Sequence, residues 1–308
     1  MTRPVLLLTL ICFNVSASAF RIVSRQRPIS RYSLLLSADD RSNNKPVQIS
    51  SNYFVPQYQE QQQKVTKVSI GSQPDFALPD DSTVETPFQR FILCTHFITS
   101  VFNLLLVSQK LHITAVPETF PVILVIMSSI IIGDFSTGVF HWSVDNYGSI
   151  KTPIFGSVCV AFQGHHSTPW TITFRTFANN VYKICFGTIP ALVLIAILGD
   201  GIAPLSRLFF TLFINWWMIS QEFHKYAHMK SVPPVWKFLQ DTGIVLSKKE
   251  HGLHHSSPFE GHYCILTGIC NSFLDRIKFF RYLERFFFAL TGNIPNTWKA
   301  DEELKEIF

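Results

Sequence analysis

The sequence predicts an all-α integral membrane protein, with about four transmembrane helices and a histidine-rich helical cap on one membrane face. Three observations carry that expectation: an apolar composition, four apolar runs of near-spanning length, and nine histidines that those runs deliver to one side. Of 308 residues, 47% are hydrophobic, only 15% are charged and 29 are Phe. That balance suits helices that face lipid better than an ordinary soluble core. The net charge of +5 is a property of one end. Arg3, Arg21, Arg25, Arg27 and Arg31 precede the first acid, Asp39, and the remainder holds 21 basic and 21 acidic side chains. With a neutral body, the charge is no argument for nucleic-acid binding, and no nucleic-acid partner is expected. Six cysteines, with no C-x-x-C spacing, read as buried thiols instead of a disulfide framework or a zinc knuckle.

The N-terminus reads as two addresses in series. Residues 1–19 hold one basic residue, an apolar core from Val5 to Val15, and Ala17-Ser18-Ala19, the pattern of a secretory signal peptide. Residues 20–38 hold four Arg, four Ser and no acid, the composition of a plastid transit peptide. Such a pair resembles the bipartite leaders of algae with complex plastids, in which a Phe opens the transit peptide; Phe20 stands there. An ordinary signal peptide followed by a basic tail is the plainer alternative. Residues 39–87 are polar, interrupted by prolines and include "QYQEQQQK", so they read as a disordered linker. Residues 88–308 form the remaining domain.

Within it, the apolar runs are Phe91–Gln109, Phe120–Phe140, Val181–Leu198 and Leu205–Ser220. Each approaches the ~20 residues that cross a ~30 Å hydrocarbon core. His96, Asn103, Asp134, Arg207 and Asn215 interrupt them, and polar groups at such depth face a bundle interior. Four runs of this length are hard to hide in a soluble core. Alternating the spans puts His141, His165, His166, His224, His228, His251, His254, His255 and His262 on one face, leaving out His96 and His112.

Their spacing points to metal. His224 and His228 in "HKYAH" are i and i+4, as are His251 and His255 in "HGLHH", with His254 at i+3; on a helix such pairs share a face. His165 and His166 are adjacent and point apart, so they could serve two metals, or one metal and a partner. His141 has Asp134 seven residues before it and Asp145 at i+4, a carboxylate placed to orient the imidazole. Nine histidines exceed the needs of one four-coordinate zinc, and they divide naturally between two ions. Imidazole suits iron, and two irons beside lipid are equipment for O2 activation and attack on an unactivated C–H bond. There is no H-E-x-x-H, but Glu222 and Glu250 leave a zinc hydrolase chemically open.

Four segments, "GDFSTGVFHWSVDNYG", "QGHHSTPWTITFRTFANN", the run from "EFHKYAHMK" through "HGLHHSSPFEGHYCILTG", and "FFRYLERFFFALTG", resemble the lipid desaturase family. That family includes the plasmanylethanolamine desaturases and the plastid phosphatidylglycerol palmitate desaturases. The resemblance covers roughly residues 88–300. It implies a non-haem di-iron enzyme that uses O2 and two electrons, from a donor such as ferredoxin or cytochrome b5, to insert a double bond into a chain of an intact membrane phospholipid. All nine histidines sit in matching motifs and are the expected metal ligands; Asp134, Asp145 and Glu222 are candidates for the surrounding shell. "QGHHSTPWTIT" with "FANN" is closer to the plastid branch, which implies a trans bond at carbon 3 of palmitate on phosphatidylglycerol and a multi-pass plastid membrane protein. The alternatives are plasmalogen synthesis in the endoplasmic reticulum, a di-iron lipid hydroxylase, and a non-enzymatic metal-binding or transporting membrane protein.

The leader generates a test. A reporter fused to residues 1–40 should reach the plastid, and Phe20→Ala should strand it earlier. A wild-type reporter that is secreted, or left in the endoplasmic reticulum, would count against the bipartite reading.

Overall fold

The computed structural model describes residues 73–111, 116–256 and 259–300. The leader, the linker as far as residue 72, and His112 lie outside the described residues. Among the described residues there are helices and no strands. The elements are α1 (Pro87–Lys110), α2 (Val116–Asn146), α3 (Gly156–His165), a 3-10 turn at Pro169–Phe174, α4 (Phe177–Ile197) and α5 (Pro204–His228). The short helices α6 (Pro234–Asp241), α7 (Lys248–His254), α8 (Asn271–Arg276), α9 (Phe279–Thr291) and α10 (Asn296–Ala300) complete the cap.

Four long helices form a bundle in which α5 touches each of the other three, and α1 also packs on α4. Ile92 and Leu93 of α1 meet Val181 and Cys185 of α4 and Met218 and Phe223 of α5 in the main apolar core. The opposite faces stay apolar and open: Ile98 is 70% exposed and Ile197 is 75% exposed. Outward hydrophobic surface of that extent belongs against lipid.

The expectation of about four spans meets a difference in the last. Three helices, Pro87–Lys110, Thr119–Asn146 and Phe177–Ile197, are long and apolar enough to cross a membrane. α5 is as long, at 25 residues, but ends in the polar run "QEFHKYAH" and starts beside a buried Arg207. Arg207 Nη1 donates to Ile195 O at 2.8 Å and Asn103 Oδ1 at 3.0 Å, and Nη2 donates to Gly199 O. The guanidinium thus serves carbonyls at the C-terminus of α4, where a helix ends in negative partial charge. Polar side chains also join the helices inside the bundle: Asn215 Nδ2 to Ser100 Oγ at 3.0 Å, Trp216 Nε1 to Ser129 Oγ at 3.0 Å, and Trp217 Nε1 to Ser136 Oγ at 2.6 Å.

Local sequence explains where helices start. Thr86 caps α1 through a reciprocal pair with Gln89, with Pro87 in the first turn. Ser247 caps α7 by accepting from Glu250 N at 3.1 Å. The linker expected over residues 39–87 is described only from residue 73, and there it is fixed to the body. Asp75 N donates to Thr171 Oγ1 at 2.9 Å, Trp170 Nε1 donates to Gln73 O at 3.1 Å, and Asp81 pairs with Arg175. These contacts span more than 90 residues of chain, so no local pattern announced them.

The loop between α7 and α8 is pinned to α2. Asp134 accepts backbone N–H bonds from Thr267 at 2.7 Å, Gly268 at 2.9 Å and Cys270 at 3.0 Å. One turn further on, a Cβ at Gly138 would stand 2.5 Å from Cys264 Sγ, so only glycine allows the loop this close. Asp134→Ala would leave three inward N–H groups unpaired and should destabilise the protein by on the order of 3 kcal/mol. Asp134→Asn, which keeps one carbonyl acceptor, should cost less. Thermal unfolding in detergent reads both; an unchanged Tm for Asp134→Ala would remove this anchor.

Candidate metal centre

Four elements bring their histidines to one end of the bundle. α5 ends with His224 and His228 on one face. α3 ends with His165, and His166 is its cap residue. α7 carries His251 and His254, with His255 as its cap residue. α2 presents His141 and, one turn on, Asp145.

Two groups result. His165, His224, His228, His251 and His255 place one ligand atom each within 4.8 Å of every other. The contacts run 2.8 Å from His165 Nε2 to His228 Nε2, 3.0 Å from His224 to His165, and 3.3 Å from His228 to His224. His251 Nε2 lies 2.8 Å from His228 Nε2 and 3.1 Å from His255 Nε2. The second group is His141, Asp145, His166 and His254. Asp145 Oδ2 lies 3.0 Å from His166 Nε2, 3.3 Å from His141 Nε2 and 3.5 Å from His254 Nε2. The groups adjoin: the His166 and His255 rings are 4.8 Å apart.

Both adjacent pairs are split. His165 goes to the first group and His166 to the second; His255 goes to the first and His254 to the second. Neighbouring residues point apart on a helix, so one turn of chain feeds two centres.

The donor sets fit metal cations. Each Nε2 either donates or accepts, so the triangle of His165, His224 and His228 cannot be satisfied by hydrogen bonds alone. Burial, and after it the charge of neighbouring imidazoles, holds His165, His251 and His255 well below the ordinary histidine range. Neutral rings leave lone pairs facing one another. A spacing near 3 Å is that of neighbouring ligands on metal–nitrogen bonds of ~2.1 Å. Five nitrogens exceed tetrahedral zinc's set, and three nitrogens with a carboxylate also suit an open transition-metal site.

Backbone carbonyls fix the ring orientation in the second group. His141 Nδ1 donates to Tyr263 O at 3.0 Å and His254 Nδ1 to Gly261 O at 2.9 Å. Each Nε2 is thereby left as the lone-pair atom, aimed at Asp145. Both carbonyls belong to the loop that Asp134 and Gly138 hold against α2.

The remaining expected residues fall outside the two groups. His262 is not brought to either: Nδ1 lies 3.1 Å from Glu250 Oε2 and Nε2 3.3 Å from Asp275 Oδ2, tying α7 to α8. Glu222 pairs with Lys225 Nζ at 2.8 Å and accepts from Asn180 Nδ2 at 2.9 Å, joining α5 to α4 below the histidines. Asp134 is the loop anchor described above. Asp145, expected to orient His141, is instead a member of the second group; its i+4 spacing from His141 was the signal in the sequence. His96 is buried among the long helices, 3.3 Å from Thr188 Oγ1.

A cavity of about 440 Å³ lies between α3, α4, α5 and residues 75–81. His165 and His224 form part of its wall. Phe140, Phe162 and Trp217 make it apolar, and Asp81, Arg175 and Lys183 supply charge.

Two groups predict two separable losses. Elemental analysis should find about two metal ions per chain, since each donor set completes one site. His224→Ala and Asp145→Ala should each lower that to about one, by emptying different groups. Stoichiometric metal retained in both variants would refute the division.

The pattern of the lipid desaturase domain matches residues 130–298, a stretch that contains every member of both groups. Fatty acid desaturase 4-like 1, chloroplastic, of Arabidopsis thaliana is 40% identical over 173 residues, covering 54% of this chain and 57% of that protein. Fatty acid desaturase 4, chloroplastic, of the same plant is 40% identical over 171 residues, covering 54% and 52%. The chain thus spans little more than half the length of these two relatives. Plasmanylethanolamine desaturase 1 of Mus musculus is 33% identical over 234 residues, covering 70% of this chain and 83% of that protein. No solved structure matches the chain. With the domain pattern spanning more than half of its length, the chain belongs to the lipid desaturase family.

Proposed function

We propose that this protein is a membrane-bound, non-haem di-iron desaturase that inserts a double bond into a chain of a membrane phospholipid. One observation carries the reading: two adjoining sets of buried and half-buried nitrogen and carboxylate donors, one of which walls an apolar cavity at the end of a lipid-facing bundle. Iron bound by His165, His224, His228, His251 and His255, and by His141, Asp145, His166 and His254, would supply the oxidising power for O2-dependent C–H cleavage. The reaction removes two hydrogens from neighbouring carbons and, with two electrons from a donor such as ferredoxin or cytochrome b5 and two protons from the medium, reduces O2 to two waters. The chain's own residues bind and orient the lipid. Phe140, Phe162 and Trp217 exclude water from the cavity, and the Asp81–Arg175 pair makes its cap end the polar one, the side for a head group. His262 braces α7 through Glu250 and Asp275.

The finer reading is a trans bond at carbon 3 of palmitate on phosphatidylglycerol, in a plastid membrane. It is supported by the likeness to the chloroplastic relatives and by the leader. His224 lies at the cap end of α5, which suits a carbon close to the head group. Plasmalogen synthesis in the endoplasmic reticulum is the second reading, favoured by the longer match to the mouse protein.

Lipid analysis of a host membrane with and without expression tests this. The expected product is a phosphatidylglycerol chain lighter by two hydrogens, with the bond at carbon 3. A gain of oxygen would make the enzyme a hydroxylase, and a vinyl ether would make it a plasmalogen desaturase. His254→Ala should abolish the product while the protein stays inserted. Full activity in that variant, with metal bound, would refute its assignment.

A further inference from the structure

The cavity that touches His165 and His224 does not end at its apolar floor. Gly187, Thr188 and Trp217 line it, and the same three residues line a second hollow of about 480 Å³. That hollow is an almost wholly apolar groove between α4 and α5, bounded further on by Leu194, Leu198, Phe210 and Phe213. It lies open to the lipid face, where Leu194 is 57% exposed.

The two hollows follow one helix in order. Asn179, Asn180, Lys183, Ile184, Gly187 and Thr188 line the cavity from the cap downward. Asn180 is level with the histidine end of α5, because its Nδ2 donates to Gln221 O and Glu222 Oε1, both at 2.9 Å. From Asn180 to Leu198 is about 27 Å along α4 at ~1.5 Å per residue. One leaflet of a ~30 Å hydrocarbon core is about 15 Å deep. The path beyond the histidines therefore has room for a whole acyl chain.

Gly187 sits at the junction. A Cβ there would meet nothing within 4 Å, so this glycine does not serve helix packing. A glycine inside a helix costs up to ~1 kcal/mol against alanine, and here the residue leaves the passage open.

We infer that the α4–α5 groove holds the distal part of the substrate's acyl chain, which passes from the cavity over Gly187 and runs to Leu198. The inference rests on the desaturase reading above and adds the chain's path and the residue that limits its length. The occupant is the acyl chain of a membrane phospholipid whose head group lies at the cap end, on the Arg175 side of the cavity.

The test uses the full chain in phosphatidylglycerol nanodiscs, with a probe lipid carrying a diazirine at the end of one sixteen-carbon chain. Ultraviolet crosslinking should label residues 187–198 and 210–217. Gly187→Phe should cut that labelling, and desaturation of the sixteen-carbon chain, by about tenfold or more, the effect of losing one productive binding mode. Desaturation of an eight-carbon chain should stay within about twofold in the same variant. Leu105→Trp, on a lipid-facing part of α1 outside both hollows, should change neither. Equal loss on both chain lengths, or no loss on either, would overturn the inference, as would labelling confined to other helices or to a second copy of the chain. Labelling reads the path without turnover. A labelled groove in a protein that leaves the lipid saturated would refute the desaturase reading and keep the groove.

Discussion

Five imidazole nitrogens held at contacts of 2.8–3.3 Å cannot all be satisfied by hydrogen bonds among themselves and suit a shared cation, and the rest of the structure is arranged to sustain that crowding. α5 carries two of the rings and is the helix that touches all three other long helices. α7 carries two more and is held at its first turn, by the Ser247 cap and by the tie from Glu250 through His262 to Asp275. The second group depends equally on a loop, since His141 and His254 take their orientation from the carbonyls of Tyr263 and Gly261.

That loop connects the bundle to its chemistry. Asp134 is a carboxylate inside an apolar helix, which is costly unless every lone pair is used. Three backbone N–H groups meet that cost and fix residues 267–270 against α2. Gly138 then lets Cys264 approach, and Tyr263 O comes within 3.0 Å of His141 Nδ1. A residue two turns below the histidines thus orients them without facing any.

The polar interior of the bundle serves a second purpose. Hydrogen bonds from Asn215, Trp216 and Trp217, and the Arg207 contacts at the far end, keep α5 registered against α1, α2 and α4. Apolar packing alone has little to distinguish helix from lipid inside a membrane. Register matters here because α5 is at once the floor of the histidine group and a wall of the hollow beside Gly187.

Much of this was legible in the sequence for a local reason. Helical period and span length are properties of short windows, so the bundle, the one-sided histidines, and the shared faces of His224 with His228 and of His251 with His255 could be read directly. The adjacent pair at His165–His166 announced divergence, with two metals, or one metal and a partner, both open, while His254 and His255 both read as sharing a face with His251. Only the tertiary structure decided which ring joins which group, because that depends on how α3, α5 and α7 are turned toward one another. It brought Asp145 into a donor set and took His262 to Glu250 and Asp275. It tied residues 73–86, polar and without period, to the 3-10 turn more than 90 positions away. The fourth run falls short of an apolar span by its own composition, through Arg207 and the polar end of α5. The tertiary structure alone supplied the partners of those groups on other helices, which no window of sequence contains.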